Sequence, residues 1–148
     1  MMNELDELDK ALNNIAKDFK ENRRQLCNEV GNLMKNQVID NIKAGVSNES
    51  TGNLERGVTL ELGSKGGYSA VKPDYGIAPH THLIEEGHRI VKGGTLGKRK
   101  AKDNANTGKG QIVDYYHGIH MYRNALTQVS SQIEEKANAL VNKIGDNF

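Results

Sequence analysis

The apolar residues of the first forty-odd positions constrain this chain most. Leu5, Leu8, Leu12, Ile15 and Phe19 step by three and four, and Leu26, Val30, Leu33, Val38 and Ile42 continue the stripe less strictly. That spacing places them on one face of an α-helix. Asn22 and Glu29 fall where a strict heptad needs apolar side chains, so the stripe reads as a core face more than a perfect coiled-coil seam. The first glycine, Gly31, is expected to mark a kink, and Gly45 to end the helix. A helix from residue 4 to 44 would be roughly 60 Å long at about 1.5 Å per residue. A compact domain of 148 residues does not need that length. Part of the helix is therefore expected to project onto something else.

A second stripe closes the chain. Tyr122, Leu126, Val129, Ile133, Ala137, Leu140 and Ile144 recur at helical spacing, and Gly145 follows as a terminator. Between the helices the pattern changes. "SNESTGNLERG" (47–57) is a polar, turn-forming segment. "GVTLELG" and "YSAVK" alternate like strands around the turn "SKGG", which predicts a hairpin. "HLIEEGHRIV" (82–91) fits a short helix or a strand. Residues 92–110 hold six lysines or arginines, five glycines and one aspartate, with nothing to nucleate a core, and are expected to form a mobile loop. "QIVDYYHGIH" (111–120) predicts a third strand. The plan is α+β in one domain over 1–148: a long helix to residue 45, a small antiparallel sheet with the long basic loop over 46–120, and a helix from 121.

Composition narrows the partners. Only 36% of residues are hydrophobic and tryptophan is absent, so the chain buries less apolar surface than most domains and is expected to complete its packing in an assembly. A net charge of +1 gives no global basic field of the kind that binds nucleic acid. One cysteine, Cys27, excludes an internal disulfide and fits a reducing compartment. No stretch approaches the roughly 20 apolar residues that span a bilayer. The acidic, amphipathic start lacks the basic-then-apolar pattern of a signal peptide, so synthesis in a cytoplasm is expected.

"APHTHLIEEGHRI" (78–90) crowds His80, His82, Glu85, Glu86 and His88 together, and His117 and His120 follow in "HGIH". A zinc site needs three or four such donors converging on one point. His-x-His alone is a weak signal, and neither H-E-x-x-H nor a C-x-x-C pair is present. Glu85 and Glu86, adjacent in sequence, are expected to point apart on either a helix or a strand. No G-x-S-x-G elbow occurs, and "GGTLGKRK" lacks the P-loop pattern. Lys98, Arg99, Lys100 and Lys102 are the best candidates for contact with a polyanion or a neighbouring subunit, but no aromatic interleaves them for base stacking.

Three motifs in order alter the weighting. "STGNL" contributes Thr51, Gly52 and Leu54. "LIEEGH" contributes Glu86, or Glu85, with Gly87. "HMYRNALTQV" contributes Met121, Tyr122, Arg123, Ala125 and Leu126. Together, after a long first helix, they resemble the HK97 gp10-like family of tailed-bacteriophage neck and tail-completion proteins. That family shows T-G-x-L-[RK], then V-E-x-G-T, then a PFLRPAL-like opening of the last helix. Here Glu55 precedes the basic Arg56, His88 stands where the family favours threonine, and Asn124 replaces a proline. The resemblance implies a non-enzymatic virion protein without cofactor or metal. It implies a homo-oligomeric ring, six copies or alternatively twelve, between connector and tail proteins. On that reading the 92–110 loop meets a neighbouring subunit or ring, or DNA in the channel. Gly52 and Gly87 follow polar residues at turns, where a positive φ is expected. The competing expectations are a metal-dependent enzyme built on the histidine cluster and a small nucleic-acid-binding protein.

Overall fold

The computed structural model describes residues 3–46, 50–92 and 111–146. In chain order the elements are α1 (Glu4–Gly45), α2 (Asn53–Arg56), β1 (Val58–Leu62), β2 (Ser69–Pro73), α3 (Thr81–Glu86), β3 (Gly87–Lys92), β4 (Gln111–His117) and α4 (Met121–Gly145). They form two compact units. Met1–Ala78 with Met121–Phe148 makes the first, and Pro79–His120 the second.

In the first unit α1 begins at Asn3, whose N–H donates to the Asp6 carboxylate at 3.4 Å. Glu4, Asp6 and Glu7 in the first turn suit the positive end of the helix dipole. α4 lies antiparallel on the C-terminal half of α1. Three contacts fix the register. Asn41 Nδ2 donates to Met121 O at 2.9 Å, Lys136 Nζ meets Glu29 Oε2 at 3.4 Å, and Lys143 Nζ donates to Asn22 Oδ1 at 3.2 Å. Val38, Ile42, Met121, Ala125 and Val129 fill the seam, each at most 1% exposed. Asn41 bridges at the seam's edge: its Nδ2 also donates to Gln128 Oε1 at 2.9 Å, and its Oδ1 accepts from Gln37 at 3.2 Å. Asn41→Ala removes these bonds and is expected to cost about 1–2 kcal/mol, measured by urea unfolding.

The β1–β2 hairpin packs on the middle of α1. Its strands are antiparallel, with Val58 opposite Pro73 and Leu62 opposite Ser69. The sequence suggests a kink at Gly31, but α1 runs through it as unbroken helix. The glycine serves close approach instead. A Cβ there would lie 2.5 Å from Leu60 Cδ1 and 3.0 Å from Ser69 Cβ. On the exposed face of the hairpin Lys72 pairs with Glu61. The hydrogen bond to Glu61, then its charge, raises the Lys72 pKa above the ordinary lysine value. The sign follows: this contribution is complete below the unfolded lysine pKa and is lost as pH rises through the folded one. Glu61→Gln is therefore expected to remove a small alkaline dependence from the melting temperature, read as melts on either side of the lysine range.

In the second unit α3 ends at Glu86, and β3 starts at the next residue, Gly87. β3 and β4 form an antiparallel ribbon, Gly87 opposite His117, with a bulge between Ile90 and Val91. The chain leaving β4 turns back onto α3: Ile119 N–H donates to Ile84 O at 2.9 Å, and His120 N–H to Glu85 O at 3.2 Å. Ile90, Ile112, Val113 and Tyr115 stay exposed, on both faces of the ribbon.

The α+β plan with a long first helix, small antiparallel sheet structure and a closing helix is present. Three details differ from the sequence reading. The third expected strand does not extend the hairpin; it pairs with β3, so two two-stranded sheets form. "HLIEEGHRIV" is helix and strand in succession, divided at Gly87. The polar segment before β1 contains the single turn of α2, introduced by Gly52 at φ 73°.

Candidate functional site

The chemistry-bearing residues of the sequence gather in the second unit. His80 precedes the first turn of α3 and His82 lies within it, both exposed. His88 sits on β3 with its ring 5.2 Å from that of Tyr116, its cross-strand partner. His117 ends β4. His120 is the one non-glycine residue with positive φ among those described, at 49°. Its Nδ1 is buried without a hydrogen-bond partner.

The seven candidate donors do not converge on one point. Glu85, Glu86 and His120 do: each offers an atom within 4.8 Å of the others. This corrects the expectation that the two glutamates point apart. Both stand in the last turn of α3, before Gly87. Glu86, His88, Arg89, Tyr116, His117 and His120 also line an open cleft of about 450 Å³.

Chemically the trio can stand for a divalent cation site only after closing. Zinc contacts of about 2.0–2.2 Å hold their ligand atoms roughly 3.5 Å apart. Glu85 and Glu86 also each carry another interaction within the chain. His80, His82, His88 and His117 do not belong to the trio.

Some of the positions that carry the family resemblance have structural duties. Gly52 and Gly87 adopt φ of 73° and 88°, the left-handed values expected for them. At Gly87 a Cβ would meet Tyr116 O at 2.4 Å and Gly118 N at 2.8 Å. Met121 and Ala125 are fully buried in the α1–α4 seam, Leu54 and Tyr122 are half-buried, and Thr51, Arg123 and Leu126 are exposed. Lys98, Arg99, Lys100 and Lys102, with the rest of 93–110, lie outside the described residues.

The other conspicuous surface is apolar. The Lys143–Asn22 contact puts the last turn of α4 level with residues 20–22 of α1. Below that level α1 continues past α4 with Leu5 68%, Leu8 55%, Leu12 49% and Phe19 41% exposed. Comparison of the chain with protein-family models, with curated proteins and with solved structures finds no match.

Proposed function

We propose that this chain is a structural virion protein of a tailed phage or prophage. It would act in the neck, at the head–tail connection or in tail completion, as a homo-oligomeric ring of six copies or alternatively twelve. It would be made in the host cytoplasm and work without enzymatic activity or cofactor. Its partners would be other neck, connector and tail proteins. Channel DNA would be a non-specific contact of Lys98, Arg99, Lys100 and Lys102.

One observation carries the reading beyond the motif order: large apolar side chains stand uncovered in both units. In the first they line the start of α1. In the second, Ile90, Ile112, Val113 and Tyr115 stand exposed on a two-stranded ribbon. A two-stranded ribbon is marginal alone in water. Surfaces of this kind suit a protomer that finishes its packing against neighbours. No helix among the described residues is long and apolar enough to cross a membrane.

The test uses particles. An antibody against the chain, applied with gold to gradient-purified particles of the producing strain, is expected to mark the head–tail junction. Absence of label from particles and free tails would overturn the proposal.

Glu85, Glu86 and His120 favour one second reading, a metal-dependent activity in the cleft. Metal analysis of protein purified without a histidine tag decides it. Stoichiometric zinc or manganese, lost in His120→Ala, would support that reading.

A further inference from the structure

We propose that the free start of α1, residues 4–19, pairs antiparallel with the same segment of a second copy of this chain, about a two-fold axis. The inference rests on the first unit and the sequence, and it stands or falls independently of the phage reading.

The geometry supplies an unfinished seam. α4 covers α1 from residue 41 down to about residue 22, through the contacts at Asn41, Glu29 and Asn22. The stripe then continues through Phe19, Ile15, Leu12, Leu8 and Leu5, all exposed except the half-buried Ile15. In this stretch, unlike the rest of α1, the spacing is an unbroken three-four repeat, the requirement for a two-helix seam. At 1.5 Å per residue the free segment is roughly 24 Å long.

Charge identifies the occupant and its direction. Glu4, Asp6, Glu7 and Asp9 make the tip wholly acidic. Residues 11–16, "ALNNIA", carry no charge and are bracketed by Lys10 and Lys17, with Asp18 and Lys20 beyond. A parallel copy would lay four acids against four acids. An antiparallel copy with Leu8 opposite Leu12 and Leu5 opposite Ile15 lays each acidic tip over the uncharged stretch of the other, between lysines. In that register the partner helix begins with Glu4 beside Ala16, roughly one turn past the level where α4 stops, and runs in the same direction as α4. The positive end of the partner helix then follows the negative end of α4. The contact is isologous, so it closes at two copies.

Sedimentation of the intact chain over a wide concentration range tests the pairing. The mass of the Leu8→Glu/Leu12→Glu variant is expected to be half that of the wild type, with unchanged helix content, since both leucines are exposed. An unchanged mass in the double variant, or a wild type that is monomeric throughout, would overturn the proposal. Direction is read in a Cys27→Ser background, which removes the sole cysteine. Chains with Leu5→Cys mixed with chains with Ile15→Cys should give the mixed disulfide. Self-linked 5–5 and 15–15 products, or no link at all, would sink the antiparallel register.

Discussion

Gly87→Ala is expected to unfold the segment from 79 to 120 while α1 and α4 keep their protection against hydrogen exchange. Two costs coincide at this position. Its backbone, at φ 88° and ψ 170°, lies in a region essentially reserved for glycine and penalises any residue with a Cβ by about 1–3 kcal/mol. The added carbon would also sit 2.4 Å from Tyr116 O and 2.8 Å from Gly118 N, both backbone atoms of the paired strand and its exit. Backbone cannot yield as a side-chain end does, so the total is expected to reach about 3–4 kcal/mol. The unit has few resources to absorb that. Its ribbon is exposed, and its closure includes two backbone bonds, Ile119 to Ile84 and His120 to Glu85. Gly52→Ala is the control. At φ 73° and ψ 6° it is in the ordinary left-handed helical region, and nothing lies within 4 Å of the added carbon. It should cost only the conformational part, about 1–2 kcal/mol. Equal effects in the two variants, by exchange or by urea unfolding, would refute the steric account of Gly87.

The contrast also shows what kind of information the sequence carries. The two long helices are legible because their apolar faces repeat over many turns; Leu33 to Ile42 and Tyr122 to Ile144 need no other support. The hairpin is legible because "GVTLELG" and "YSAVK" alternate on either side of a glycine-rich turn. The second unit is not legible to the same degree. Leu83, Ile84 and Ile90 are too few to establish a period, and the change from helix to strand occurs at one residue, Gly87. The meeting of Glu85 and Glu86 with His120 depends on a return of the chain thirty-odd positions later and on a left-handed histidine. Periodicity holds no trace of such a closure. The available signal was glycine beside polar residues, which pointed to positive φ at 52 and 87 and so to the hinge, but not to what the hinge brings together. The free end of α1 was legible in outline, since a helix of that length exceeds what one compact body can cover.

Ile42→Ala is expected to be the most damaging single truncation in the first unit, at about 3–4 kcal/mol. Ile42 is 1% exposed and belongs, with Met121, Val38 and Val129, to the few large side chains that are fully buried. These four line a single narrow seam, so a cavity left there has little neighbouring material to collapse into it. Leu8→Ala, at an exposed position, should leave the stability of the dilute chain within about 0.5 kcal/mol. Urea unfolding of both variants at low protein concentration measures the difference. The same experiment at high concentration separates packing within the chain from packing between chains. Association stabilises the folded form by mass action, so the midpoint of Ile42→Ala should rise with protein concentration. Adding Leu8→Glu and Leu12→Glu should abolish that rise, because the free end of α1 would no longer find its partner. A midpoint that does not depend on concentration would mean that the sparse core stands alone and that the uncovered leucines contribute nothing to it.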